Sequence, residues 1–191
     1  MMKLVVGLGN PGRKYEGTRH NVGYMILAGL ARKFGLPPLK DKFRAEVMEA
    51  ELGGQKALLM TPLTFMNLSG LSVVEAKNFY KIPEQDLLVI CDDLNLPLGK
   101  LRIRVKGASG GQKGLEDIIR RLGTEDFPRL RVGIGNPPEN WDWADFVLSK
   151  FTKDEQPTIE ESIVRAAEAV EAWAREGIEY CMNNYNKGIE D

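Results

Sequence analysis

The chain has 191 residues, of which 43% are apolar and 28% are charged, and its formal net charge is −1. This length and composition predict one globular domain over residues 1–191, with a substantial core and no low-complexity segment. No apolar run reaches the length of a membrane-spanning helix or of a signal-peptide core, so we expect a cytoplasmic protein that does not act at a membrane.

Strand and helix signals alternate along the chain. Short apolar or alternating runs predict strands at 3–8, 43–51, 55–61, 86–91, 100–106 and 129–135. Helical spacing predicts helices at 22–35, from Asn67 or Ser69 to Tyr80, at 114–122 and at 153–177. Gly53-Gly54 predicts a hairpin between the second and third strands. This order predicts an α/β fold, a three-layer sandwich whose twisted mixed sheet is flanked by helices.

The segment GLGNPG, residues 7–12, has the glycine spacing of a dinucleotide-binding turn. Such a turn needs a helix that starts inside the motif and an acidic residue on the second strand, about 20 residues further on. Pro11, Gly12 and Gly17 interrupt the helix, and the later stretch falls in the next predicted helix and its end. We therefore expect no nucleotide cofactor, and we expect the glycines to let the backbone turn and bring Asn10 over a cleft.

The segment GASGG, residues 107–111, resembles the nucleophile elbow of a serine hydrolase. In that fold a histidine follows the serine along the chain, and none follows Ser109. The only histidine is His20, far upstream. A serine esterase is therefore a weak alternative, and labelling of Ser109 by a fluorophosphonate would reveal it.

Neither the acidic pair Asp92-Asp93 nor the cysteines predict a metal site. Adjacent strand residues point to opposite sides of a sheet, and no companion acidic cluster is present. Cys91 and Cys181 lack the spacing of metal ligands, so we expect reduced, packed thiols.

His20 is the one side chain whose ordinary pKa lies near neutrality, and it sits among polar residues in TRHN at the start of a helix. If the chain performs general-base chemistry at neutral pH, His20 is the candidate base, with a surface histidine at a helix end as the alternative. Asp92, at the end of a central strand, is a candidate to orient it. Asn67 either caps the following helix or faces the same sheet edge as Asn10.

The basic residues concentrate in one segment. Residues 99–132 contain nine Lys or Arg and four acidic residues, whereas residues 138–191 contain five and thirteen. The first segment could therefore bind a polyanion that the second would repel.

Alternation within the predicted strand 100–106 places four basic side chains on one face: Lys100, Arg102, Arg104 and Lys106. The glycine-rich loop that follows offers free N–H groups, and Lys113, Arg129 and Arg131 add charge of the same sign. The segment predicts a phosphate-binding surface, with a solvated strand face as the alternative.

Five ordered motifs together resemble the bacterial peptidyl-tRNA hydrolase family, over about residues 3 to 185. They are GLGNPGxxYxxTRHN, PxTFMNLSG, DDLNLPLG, GGQKGLEDI and RLRVGIGNP. The resemblance implies hydrolysis of the ester between peptide and tRNA. We expect a monomer that needs no metal or cofactor, although the sequence itself does not determine the oligomeric state. By position it implies that His20 is the base, that Asp92 keeps it in its proton-accepting form, and that Asn10 contacts the peptide beside the ester.

The resemblance also implies substrate contacts. Tyr15, Phe65 and Asn67 match positions that contact the 3′ end of the substrate, with Met66 beside them as an apolar wall. Arg104 and Arg131 match a pair that clamps the 5′-phosphate of tRNA.

Two departures from the family pattern are visible in the sequence. Gln112-Lys113 stands where the family commonly has His-Asn, so the substrate contacts of that pair are assigned here to Gln112 and Lys113 only as an expectation. Asn95 stands where aspartate is frequent. A non-catalytic RNA-binding protein on the same scaffold is the alternative function, although the joint presence of Asn10, His20, Asn67 and Asp92 favours an enzyme.

Overall fold

The structure is a computed structural model that describes residues 2–187. Within this range the chain forms seven strands and six α-helices. The strands are β1 Lys3–Gly7, β2 Lys40–Lys42, β3 Ala45–Leu52, β4 Gln55–Pro62, β5 Leu87–Asp93, β6 Leu101–Arg104 and β7 Arg129–Gly133. The helices are α1 Val22–Phe34, α2 Ser69–Tyr80, α3 Lys113–Leu122, α4 Trp143–Val147, α5 Gln156–Glu176 and α6 Ile178–Tyr185.

All seven strands belong to one mixed sheet with the order β2-β3-β4-β1-β5-β7-β6. The four central strands, β4, β1, β5 and β7, are parallel, and β2, β3 and β6 add antiparallel pairs at the two sides. The central strand β5 is buried at every position because helices cover both of its faces. The predicted α/β class and the mixed sheet are confirmed.

Apolar side chains fill a core on each face of the sheet. On one face α1 and α5 pack over the strands, with Ile26, Val170 and Trp173 fully or almost fully buried. On the other face α2 and α3 do so, through residues such as Val73 and Leu115. Helices on both faces of a largely parallel sheet make the predicted three-layer sandwich.

The glycines of GLGNPG allow α1 to approach β1 closely. A Cβ atom on Gly7 would lie 2.4 Å from the carbonyl oxygen of Gly23, and one on Gly9 would lie 2.7 Å from the ring of Tyr24. Neither distance is compatible with a side chain, so packing requires glycine at both positions. The chain then passes through Asn10 at the carboxyl edge of the sheet.

Several predicted boundaries differ from the observed ones. The predicted strand 86–91 extends to Asp93, and the predicted helix 153–177 ends at Glu176 and is followed by α6. The short elements β2 and α4 were not predicted from the sequence, because elements of three and five residues show too few periods to be recognised. The ends of the predicted domain, residue 1 and residues 188–191, lie outside the described residues.

The predicted hairpin and the predicted state of the cysteines are confirmed. The hairpin joins β3 and β4 through Gly53 and Gly54, and both cysteines are buried free thiols. Across residues 2–187, every helix is too short or too polar to span a membrane.

Candidate active site

A cavity of about 940 Å³ opens at the carboxyl edge of the parallel strands. Parallel strands direct the loops that follow them to the same edge, which is where α/β proteins form their sites. Nine of the predicted site residues line the cavity: Asn10, His20, Phe65, Met66, Asn67, Asp92, Gln112, Lys113 and Arg131. Tyr15 and Arg104 do not line it.

His20 and Asp92 are hydrogen-bonded, as predicted. His20 lies in the single 3₁₀ turn Arg19–Asn21 before α1, and its Nδ1 is 2.8 Å from Oδ2 of Asp92 near the end of β5. Asp92 is ionisable and acceptor-only when charged, so Nδ1 carries the proton and donates it. The second ring nitrogen, Nε2, is therefore left with a free lone pair.

The pKa of His20 reflects two opposing influences. Burial of the ring favours the neutral form and lowers the pKa, but the negative charge of Asp92 and its hydrogen bond raise it. The net result is a pKa above the usual 6.5. The neutral imidazole is therefore a stronger base than a free histidine.

Asp92 has a second donor on its other oxygen. Nε2 of Gln112 donates to Oδ1 of Asp92 over 3.1 Å, and the carboxylate is 3% exposed. Gln112 also accepts the backbone N–H of Leu115 in α3. Both ends of its side-chain amide are therefore bonded to the protein, which differs from the expectation that Gln112 contacts substrate.

Asn10 is held in the cavity wall through its backbone and its side chain. Its N–H donates to Oδ1 of Asn21 over 2.8 Å, and its carbonyl accepts from Nδ2 of Asn21 over 2.9 Å. Its Oδ1 accepts the N–H of Met66 over 2.8 Å. Because the oxygen end of the amide is taken, the Nδ2 end is the part that can donate to a ligand.

Asn67 and Phe65 are exposed at the cavity, on either side of the buried Met66. Asn67 does not cap α2, because that helix begins at Ser69 and no side-chain hydrogen bond caps it. Tyr15 lies beside the cavity, with its ring edge-on to Phe65 at a centroid distance of 6.5 Å. These residues form one rim that combines apolar rings with the Asn67 amide, which makes no hydrogen bond to any residue in 2–187.

The short helix α4 also forms part of the cavity wall, and the sequence analysis did not predict it. Trp143, Val147 and Leu148 line the cavity from this side, and Trp143 is 53% exposed. Asp142 caps the helix by accepting the N–H of Ala144 over 2.7 Å. The sequence does contain a signal for this helix: Asp142 is a preferred N-cap residue, and Trp143 and Val147 after it are apolar and four residues apart.

Arg19 connects the His20 turn to the segment after α4, a second feature that the sequence reasoning missed. It is buried and forms a bidentate ion pair with Glu155, at 3.0 and 2.7 Å. Its guanidinium also lies over the rings of Phe146 and Phe151. The turn that carries His20 is therefore anchored to α4 and to the segment that follows it.

Of the two predicted phosphate-clamp arginines, only Arg131 lies at the cavity. Its guanidinium donates to Asp93 at 3.3 Å and to the carbonyls of Ala108 and Ser109, and the side chain is 12% exposed. Arg104 is exposed on β6 and is paired across the strands with Arg129 rather than with Arg131.

The predicted basic face of the strand is confirmed within β6. Arg102 and Arg104 are exposed, and Leu101 and Ile103 between them are buried. Neither arginine forms an ion pair with any residue in 2–187. Arg129, on the neighbouring strand β7, is buried, and its guanidinium donates to backbone carbonyls. Its pKa is lowered to about 10, mainly because the side chain is buried and secondly because Arg131 carries the same charge.

The part of the chain that the structure describes contains no cluster of three or more His, Cys, Asp or Glu that could hold a metal ion. Asp93, the neighbour of Asp92, accepts from Arg131 and from the N–H of Asn95. Lys113, at the cavity rim, pairs with Glu116 at 3.0 Å.

Comparisons with known proteins match this chain along nearly its whole length. The profile of the family described as peptidyl-tRNA hydrolase matches residues 4–191. A peptidyl-tRNA hydrolase of Rhodopirellula baltica is 50% identical over 185 residues, covering 97% of each chain. One of Desulfitobacterium hafniense is 49% identical over 186 residues, covering 97% of this chain and 100% of the relative.

The same likeness is found among solved structures. The crystal structure of peptidyl-tRNA hydrolase from Acinetobacter baumannii matches with a TM-score of 0.90 at 35% sequence identity. The match covers 97% of this chain and 94% of that chain.

Proposed function

Because this chain belongs to the peptidyl-tRNA hydrolase family, we propose that His20 activates the water molecule that cleaves the ester between peptide and tRNA. The chain is an ester hydrolase that releases peptide and tRNA from peptidyl-tRNA. The observation that carries the proposed mechanism is the 2.8 Å contact between Nδ1 of His20 and the buried carboxylate of Asp92.

The water is activated by the free lone pair on Nε2 of His20. Nε2 takes a proton as the water oxygen attacks the ester carbonyl, and Asp92 stabilises the imidazolium that forms. The proton then passes to the ribose oxygen of tRNA as the ester bond breaks. An ester has a better leaving group than an amide, so an activated water suffices without a covalent nucleophile.

The amides of Asn10 and Asn67 orient the peptidyl group. The Nδ2 of Asn10 is available as a donor because its Oδ1 is bonded to Met66. The amide of Asn67 is exposed on the same rim. One of these donors stabilises the oxyanion that develops on the ester carbonyl, and both hold the carbonyl in line for attack.

The surroundings of the cavity suit the two halves of the substrate. Exposed apolar side chains that line the cavity, Phe65 and Trp143, suit the peptide and the bases at the 3′ end of tRNA. The basic face of β6 and the rim residue Lys113 suit phosphates. Tyr15 extends the apolar rim through its contact with Phe65.

The catalytic rate is expected to increase with pH and then level off. Protonated His20 cannot accept a proton, and its pKa is raised above 6.5, so kcat should be lost as the pH falls through that raised value. We expect the midpoint of kcat to lie above 6.5. The measurement is kcat on N-blocked aminoacyl-tRNA at saturating substrate from about pH 5 to 8, corrected for uncatalysed hydrolysis. A flat profile would rule His20 out as the base.

KM is expected to rise steeply with salt, because binding of phosphates by Lys and Arg releases counterions. For three phosphate contacts, KM should rise roughly 30-fold between about 50 and 200 mM salt, with little change in kcat. Arg104→Gln should lower the slope of log KM against log salt. Lys56→Gln is the matched control, because this exposed lysine is the second residue of β4, and three strands separate β4 from β6. A salt-independent KM would remove the basic face of β6 from the site.

A pure RNA-binding protein on this scaffold is the remaining alternative, and it is not favoured. The experiment that decides is incubation of the purified protein with peptidyl-tRNA in the presence of a chelator. Release of peptide supports water activation by side chains alone. Binding without release would identify a binder, and release only after metal is restored would contradict the proposed mechanism.

We also propose that the enzyme acts as a cytoplasmic monomer without a nucleotide cofactor. Its substrate is a product of translation and occurs where ribosomes work. The cavity with all the proposed catalytic groups is built from one chain, so no second copy is needed to complete it.

A further inference from the structure

Gln112 occupies a position that determines the orientation of its amide without ambiguity. It is the N-cap residue of α3, and its Oε1 accepts the backbone N–H of Leu115 over 2.8 Å. Only the oxygen end of an amide can accept this bond, so the Nε2 end must face the other way. The residue is 8% exposed, which leaves little freedom to rotate.

The Nε2 end of Gln112 meets two groups that only accept hydrogen bonds. It lies 3.1 Å from Oδ1 of Asp92 and 3.2 Å from Sδ of Met66. Every polar atom of the Gln112 side chain is therefore bonded to the protein. The side chain lines the cavity, but both of its N–H hydrogens are directed at protein acceptors and not at a ligand.

The carboxylate of Asp92 is thus held at both oxygens. Oδ2 accepts from His20 and Oδ1 accepts from Gln112, so rotation of the carboxylate would break both bonds. A continuous chain of hydrogen bonds runs from Leu115 in the first turn of α3 through Gln112 and Asp92 to the imidazole. Asp92 accepts from both donors, so its carboxylate is fixed between the His20 ring and a residue that is bonded to the first turn of α3.

We propose that Gln112 is a positioning residue of the active site, whose amide holds the Asp92 carboxylate in the orientation that receives the Nδ1 proton of His20. This inference rests on the proposed roles of His20 and Asp92. It assigns to Gln112 a function through Asp92 and not through contact with substrate. The same side chain therefore caps α3 and supports the pair formed by His20 and Asp92.

The test separates the two bonds that Gln112 makes. Gln112→Ser keeps the helix cap, because serine is a preferred N-cap residue and accepts the N–H of Leu115, but its hydroxyl is too short to reach Asp92. Gln112→Ala removes both bonds. If Gln112 served only as a helix cap, Gln112→Ser would have the kcat and the His20 tautomer of the wild type, and Gln112→Ala would not.

We expect Gln112→Ser to lower kcat roughly 10- to 100-fold with KM within about twofold of wild type, the loss typical of removing a partner that orients an active-site group. The structural readout is the tautomer of His20 in the free protein. The chain has a single histidine, so ¹⁵N chemical shifts of its imidazole report this residue alone. We expect one dominant Nδ1–H tautomer in wild type and a mixture in Gln112→Ser.

The other charged side chains that line the cavity are already paired within the described chain: Asp93 with Arg131, and Lys113 with Glu116. Neither pair includes Gln112, so its replacement leaves these charges in place. A change at His20 in Gln112→Ser therefore reports on Asp92.

Loss of the Nδ1–H tautomer together with lower kcat would support the proposal. An unchanged tautomer in Gln112→Ser would overturn it, whatever the turnover. A mixed tautomer with wild-type kcat would support the positioning of Asp92 by Gln112 and would contradict the catalytic roles proposed for His20 and Asp92. The two failures are thus distinguishable, and thermal unfolding of both variants measures the contribution of the cap separately.

Discussion

Replacing His20 with alanine is expected to lower kcat by roughly 10²- to 10⁴-fold, the usual loss for a general base. The reason is that Nε2 of this ring is the group proposed to take the proton from water. The change in KM should be small, because the asparagine amides and the basic face of β6 remain. The measurement is single-turnover hydrolysis of N-blocked aminoacyl-tRNA.

The control for this variant keeps a hydrogen-bond donor for Asp92, the partner that His20→Ala leaves without its imidazole. Removing the imidazole leaves the buried carboxylate of Asp92 with Gln112 as its remaining side-chain donor, which could destabilise the site. His20→Asn can still donate to Asp92 but has no basic nitrogen, so it should fold well and be equally inactive. Turnover within tenfold of wild type in either variant would exclude His20 as the base.

Asp92→Asn is expected to cost up to about 10⁴-fold in kcat, as replacement of a triad carboxylate by its amide does. The carboxylate accepts from two donors, His20 and Gln112. An asparagine has one oxygen and one NH₂ group, so one of the two donors must then face another donor. If the NH₂ faces His20, the ring is forced to carry its proton on Nε2 and cannot accept one from water.

This variant also has a definite effect on the pKa of His20. Asp92 raises that pKa through its charge and its hydrogen bond, while burial lowers it. Removing the charge leaves burial, so the pKa should fall below 6.5 and the residual activity should persist to lower pH than in wild type. The ¹H or ¹⁵N titration of the single imidazole measures this directly.

Asp86→Asn is the matched control. It makes the same change of charge at Asp86, which immediately precedes β5 and pairs with Lys3 at 2.8 Å, at the end of the strand away from the carboxyl edge. We expect wild-type kcat and an unchanged His20 titration in this variant. If Asp92→Asn behaved like Asp86→Asn, the proposed catalytic pair would be wrong.

Much of the architecture could be predicted because its signals are local. The apolar run before Asp92 predicted a central strand, the paired glycines at 53 and 54 predicted the hairpin, and helical spacing predicted α1, α3 and α5. Each of these signals depends on residues close together in the chain. The elements that were missed, β2, α4 and α6, are at most eight residues long, or directly follow a longer helix that masks their start.

The sequence predicted which residues line the candidate site better than it predicted the hydrogen bonds between them. His20 and Asp92 were expected to meet, and they do, because parallel strands carry the residues after them to one edge. The role of Asn21 as the partner of Asn10 was missed although TRHN contains it. A side-chain amide has no preferred partner that a sequence pattern could indicate.

By itself, the sequence determined which chemical groups are available: a single imidazole, a carboxylate at the end of an apolar strand, and basic residues alternating along β6. Only the tertiary structure decided how those groups are paired. In the tertiary structure Gln112 donates a hydrogen bond to Asp92, Arg131 forms an ion pair with Asp93, and α4 lines the cavity. The reason is that a hydrogen bond depends on positions within a few tenths of an ångström. Those positions result from the packing of helices on a sheet and not from the spacing of residues along the chain.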